Sequence, residues 1–121
     1  MTRMLFALDL RDDNEAIAEY ERWHRPENVW PEIIASIRNA GIEGMDIFRT
    51  GNRLVMVMDT GPHFDAEAKA TSDAADLQVQ AWEELMARFQ LPLAWAPKGT
   101  KWMPMSLVFR LVDCPVGPRQ G

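Results

Sequence analysis

Tyr20 and His24 stand four residues apart in Tyr20-Glu21-Arg22-Trp23-His24, shortly before Trp30-Pro31-Glu32. On a helix this spacing puts the phenol and the imidazole on one face, one turn apart. An imidazole titrates near neutral pH and can give and take protons there, while a phenol stays protonated and donates. Together they can exchange protons with the oxygens of a small bound molecule. The chain has two histidines, and His63, in Gly61-Pro62-His63, reads as an exposed turn residue. The same pair also fits a purely structural arrangement, with His24 closing a helix and Tyr20 filling a core.

Other residue types add to the dyad. Of the five tryptophans, Trp30 and Trp82 are the best placed to offer an aromatic face to the C–H face of a sugar ring. Core packing is the ordinary alternative for each. Glu32 is a candidate for hydroxyl recognition, although a carboxylate at a helix start is also favoured by the helix dipole. Glu83 and Glu84 read as a solvated helix face. The histidines lie far apart in sequence and the single cysteine, Cys114, falls near the C-terminus. That pattern gives no metal site, and no Gly-rich phosphate loop is present.

Composition narrows the class. The 121 residues are 47% hydrophobic and 26% charged, as in one ordinary globular domain, and the net charge is −5. A phosphate backbone needs a basic face, so nucleic acid is excluded as a partner. One cysteine forms no internal disulfide and fits a reducing, cytoplasmic setting. No apolar run reaches bilayer length, and the N-terminus reads as a strand rather than an export signal.

The elements that must position the dyad follow from periodicity and punctuation. Residues 3–10 form an apolar run suited to a strand covered on both faces. Asp12 and Asp13 offer N-caps for a helix carrying Ala16, Ile17, Tyr20, Trp23 and His24 on one face. Arg25-Pro26 breaks it. A second helix starts near Pro31, turns Ile33, Ile34 and Ile37 inward and ends at Gly41. Residues 42–50 and 53–59 read as strands joined at Gly51-Asn52. Residues 64–70 form a short helical turn, 73–89 the longest helix, 91–100 a Pro-rich connector and 105–112 a last strand. A loose tail, 113–121, follows a single domain of residues 1–112.

This order is ferredoxin-like βαββαβ, an α+β fold with an antiparallel sheet and helices on one face. Two strands nevertheless look apolar on both sides. The open face therefore requires a cover, most simply the same face of a second copy, which predicts a homodimer with facing sheets.

The chain resembles the L-rhamnose mutarotase family. The resemblance rests on a strand beginning at Arg3, Tyr20-x-x-x-His24, Trp30-Pro31-Glu32, the Gly51-Asn52 hairpin, a late helix with Trp82 before Met86, and a C-terminal strand around Val108-Phe109. It spans roughly residues 3–111. The resemblance implies a dimeric α/β-barrel and an enzyme that interconverts anomers of 6-deoxy-L-sugars without metal or organic cofactor. It places Tyr20 and His24 at the acid–base positions, and Trp82 at the first of two adjacent tryptophans lining the sugar pocket. The second of that pair is Glu83 here, the segment between His24 and Trp30 is longer, and the connector differs. A carboxylate in place of a ring face rewrites hydroxyl recognition and favours L-fucose, by a small margin, over L-rhamnose. Two other classes fit the same architecture: a cofactor-free monooxygenase of dimeric α/β-barrel type, and a non-catalytic sugar-binding module.

Overall fold

The computed structural model describes residues 2–117. Three long strands form the sheet: β1 (Thr2–Leu10), β2 (Ile42–Thr50) and β3 (Arg53–Thr60). Four helices are α1 (Asn14–Trp23), α2 (Pro31–Asn39), α3 (Ala66–Ala75) and α4 (Leu77–Ala87). Two short strands, β4 (Gln90–Leu91) and β5 (Met103–Pro104), complete the sheet. The antiparallel order is β2-β3-β1-β4, with β5 also paired to β1. This is the ferredoxin-like arrangement, its fourth position shared by two short pieces.

Register assigns the faces. Met4, Phe6 and Leu8 oppose Met58, Met56 and Leu54 across β1 and β3, and Met45, Ile47 and Arg49 continue that row on β2. Directly opposed residues share a face. The helices cover this one, where Leu10 and Leu54 pack with Tyr20 of α1, Ile33 of α2, and Val79, Trp82 and Met86 of α4. The opposite face carries Leu5 opposite Val57 and Ala7 opposite Val55, with exposed Phe48 beside them. Charge-assisted pairs bracket that apolar strip, Arg3 Nε to Asp59 at one end and Arg53 Nε to Asp9 at the other, both 2.8 Å.

Local chemistry explains the helix ends. Asp13 is the N-cap of α1 and accepts from Glu15 N at 3.0 Å. Gly41, at φ +91°, follows α2 in the left-handed region, and a Cβ there would crowd the Phe64 backbone. The hairpin turns at Gly51, φ +56°, as its sequence implies.

Two expectations are corrected. The single helix over 73–89 is two helices, divided at Asp76. That residue is extended (φ −95°, ψ 112°) and its carboxylate accepts from Gln78 N and Val79 N. An aspartate competes for backbone N–H groups and favours a cap over a helix interior. The last strand, expected over 105–112, pairs only as β5. Met105 N still reaches Leu5 O at 2.8 Å, after which the chain leaves the sheet. Residues 111–113 form one 3₁₀ turn. Apolar spacing specifies extended backbone but does not hold it to a sheet, and beyond Met105 the chain departs from the edge of β1 at Thr2–Met4, which pairs only with β3 among the described residues. Of the loose tail expected at 113–121, residues 118–121 lie outside the described residues.

Asp76 caps α4 with two backbone bonds, so Asp76→Ala should cost about 1 kcal/mol. Urea unfolding of the variant measures this, and an unchanged midpoint would show the division to be set by packing instead.

Candidate active site

α1 carries the dyad because its inward stripe must bury against the sheet. Ala16 and Tyr20 are buried on that stripe. Tyr20 is only 3% exposed and sits over Leu10 and Leu54. The helix ends one turn later, with His24 as its C-cap residue. There the imidazole folds back along the helix, its ring centroid 4.1 Å from that of Tyr20. The two structural roles anticipated for the pair, helix end and core aromatic, are thus real, and they also set its geometry.

One hydrogen bond fixes the histidine's state. Nδ1 lies 2.8 Å from the Tyr20 carbonyl oxygen, which can only accept. Nδ1 therefore carries the proton, and in the neutral ring Nε2 presents its lone pair. Burial lowers the His24 pKa below the ordinary imidazole value, opposed by the hydrogen bond to the Tyr20 carbonyl. Burial raises the Tyr20 pKa well above the ordinary phenol, against a smaller opposing hydrogen bond from the Gln90 side chain. At neutral pH the site therefore holds a neutral base beside a protonated phenol.

Tyr20 and His24 open onto a cleft of about 450 Å³ whose other walls are Glu21, Ile47, Phe48, Arg49 and Leu54. That volume is in the range of small-molecule sites. The cleft lies where α1 meets the edge strand β2.

Trp82 is buried on α4 and meets three rings edge-on: Trp23 at 6.4 Å, His24 at 5.7 Å and Trp30 at 5.2 Å between centroids. It is the packing hub behind the imidazole. Trp30, the N-cap residue of α2, leans on it. The structure thus gathers Tyr20, His24, Trp30 and Trp82. It does not bring Glu32 or Glu83 to them. Glu83 follows Trp82 by one residue, about 100° further round the helix, and is exposed beside Gln80. Glu32 lies on the outer side of α2, in a separate groove of about 550 Å³ against α3. That groove is larger but lacks the dyad, and Lys69 and Ser36 in it are already bonded to Asp73.

Glu21, Ile47, Phe48, Arg49 and Gln90 were not singled out by sequence reasoning. The β2 residues become visible only through register, since the Gly51-Asn52 turn sets which of them face α1. Gln90 Oε1 is buried without a partner among the described residues, a feature no sequence pattern announces. No helix of the described residues is long and apolar enough to cross a membrane.

The fold is a ferredoxin-like frame with a cleft of small-molecule size between α1 and β2. The family model for L-rhamnose mutarotase matches residues 3–111. An L-fucose mutarotase of Xanthomonas campestris pv. campestris is 50% identical over 121 residues, covering 100% of this chain and 96% of that one. A Dictyostelium discoideum protein is 36% identical over 110 residues, 87% of this chain and 86% of its own. Among solved structures, an L-rhamnose mutarotase from Formosa agariphila superposes with TM-score 0.67 at 20% identity, covering 92% of this chain and 99% of that one. Tetracenomycin F2 cyclase from Streptomyces glaucescens gives TM-score 0.58 at 15% identity, over 95% and 100% of the two chains, and attests the shared fold alone. The chain belongs to the L-rhamnose mutarotase family.

The dyad's electrostatics can be tested directly, because Tyr20 is the sole tyrosine. Phenolate absorbance in the native protein should be absent at about pH 10, where a free phenol is half-ionised, and should appear on unfolding. The His24 imidazole should titrate by NMR below its unfolded value of about 6.5. With the folded pKa depressed, the stability contributed is full above the unfolded pKa and is lost as pH falls through the folded one. A His24 midpoint above 6.5, or a native phenolate at pH 10, would contradict this site geometry.

Proposed function

We propose that this protein is a mutarotase interconverting the α and β anomers of a 6-deoxy-L-sugar, with L-fucose preferred over L-rhamnose. The carrying observation is the tautomer-fixed His24 beside a protonated Tyr20 in one cleft. The 50% identity to an L-fucose mutarotase supports the sugar preference.

Mutarotation opens and recloses a cyclic hemiacetal. In the proposed reaction His24 Nε2 removes the anomeric hydroxyl proton as the C1–O5 bond breaks, and Tyr20 donates its proton to the ring oxygen. The result is an open aldehyde, an imidazolium and a phenolate. A buried phenolate is costly on its own, so the two transfers are coupled, and the new charges are opposite and adjacent. After rotation about C1–C2, Tyr20 recovers its proton from the C5 hydroxyl as that oxygen attacks the other aldehyde face. His24 returns its proton to O1. No proton is gained or lost overall. Trp30 and Trp82 back this site and provide its aromatic surroundings.

The working unit is proposed to be a homodimer. The strip formed by Leu5, Ala7, Val55, Val57 and Phe48 has no helix over it. In that strip Leu5, Val55 and Val57 are half-buried and Phe48 is exposed, and beyond β5 Leu107, Val108, Phe109, Leu111 and Val112 are exposed, Val108 to 94%. Apolar surface of this extent marks an association site. The free thiol of Cys114 suits a cytoplasmic setting.

Saturation-transfer NMR between anomers tests the activity, with L-fucose and L-rhamnose side by side. His24→Ala or Tyr20→Phe should each reduce enhanced exchange about 10²–10⁴-fold, and full activity in both variants would remove the dyad from the mechanism. Sedimentation should give twice the 13.8 kDa chain mass, and a monomer at micromolar concentration would overturn the dimer.

A further inference from the structure

Arg49 breaks the pattern of its strand. On β2 the helix-facing row runs Met45, Ile47, Arg49, and Arg49 lies opposite Leu54, a core residue. A guanidinium at the end of an apolar row, facing the dyad's helix, calls for a reason.

The side chain is held from two directions. Its Nε donates to Glu21 Oε1, on the residue directly after Tyr20, and its Nη1 donates to Gly51 O at 2.7 Å. Of the five N–H donors of a guanidinium, these use one on Nε and one on Nη1. Both Nη2 hydrogens and one on Nη1 have no acceptor among the described residues. Arg49 and Glu21 line the same cleft as Tyr20 and His24. The cleft thus has a proton-transfer wall on α1 and, on β2, a planar set of donors, with an apolar floor of Ile47 from β2 and Leu54 from β3.

We propose that Arg49, oriented by Glu21 and the Gly51 carbonyl, is a sugar-binding residue that donates to two neighbouring hydroxyl oxygens of the pyranose. The inference rests on the mutarotase reading and extends it. The dyad needs the ring oxygen and O1, both at one end of the sugar. A donor pair across the cleft grips the remaining hydroxyls and so sets which atoms meet His24 and Tyr20. Arginine suits this task better than lysine, because its donors are coplanar and already oriented. A neutral sugar supplies hydroxyl acceptors without displacing Glu21, which keeps the charge balanced in the bound state. The bland alternative is an edge-strand ion pair tying β2 to α1. Such a tie at an exposed pair contributes little stability and would leave kinetics untouched.

The test compares wild type, Arg49→Leu and Arg49→Lys by anomer exchange against L-fucose concentration, with sugar titration of the tryptophan fluorescence and thermal unfolding. Losing hydrogen bonds from a charged donor should raise KM and the sugar Kd about tenfold or more in Arg49→Leu, with less change in Arg49→Lys and kcat within about threefold. The unfolding midpoint should stay near wild type. KM and Kd within about twofold of wild type in both variants would overturn the assignment while leaving mutarotation intact. If Arg49→Leu fails to fold, Arg49→Gln, which lacks the charged donors, takes its place under the same criterion. A wild-type protein that neither exchanges nor binds either sugar overturns the mutarotase reading and this inference together.

Discussion

Burial of the inward stripe of α1 against the centre of the sheet is the constraint on which the rest depends. Tyr20 rests on Leu10 and Leu54, and burying an aromatic of this size contributes about 1.5–3 kcal/mol. That same burial desolvates the phenol and keeps it protonated. Arg25-Pro26 stops the helix just beyond His24, and in that last turn the Tyr20 carbonyl accepts from His24 Nδ1. Packing, tautomer and proton inventory are therefore one arrangement seen at three scales.

The aromatic cluster behind the dyad completes it. Trp82 touches His24, Trp23 and Trp30 edge-on, the geometry that aromatic quadrupoles favour. It joins α4 to the end of α1 and the start of α2. Trp82 is buried in the core cluster and packs edge-on against the imidazole. The cleft's open walls come instead from α1 and β2, where Ile47 and Arg49 lie on the dyad's side of the sheet.

The two faces of the sheet have different fates for a simple reason. The helices can cover only one side, and α1, α2 and α4 do so. The other side keeps Leu5, Val55 and Val57 half-buried between flanking ion pairs. The segment after β5 carries further apolar side chains away from their own core. A lone chain leaves both surfaces wet, which is the physical basis for the proposed second copy.

Much of this was legible in the residues alone. The i,i+4 spacing of Tyr20 and His24, the Asp13 cap, Pro31 at a helix start, Gly41 beyond a helix end and the Gly51-Asn52 turn are local rules, enforced within a few residues of chain. They determined the element order and the face on which the dyad sits. The division at Asp76 was missed because the apolar stripe runs past a residue whose carboxylate competes with the helix. The unpaired course of residues 106–110 was missed because apolar spacing reports extended backbone and carries no information about whether it stays on a partner edge. Only tertiary structure decided which groups meet the dyad. Glu83 and Glu32, one and two residues beyond Trp82 and Trp30, turn elsewhere by helical rotation. Arg49, 25 residues from His24 in sequence, arrives by the register of a hairpin. The pKa directions, too, belong to the fold, since burial of Tyr20 and His24 exists only once α1 lies on the sheet.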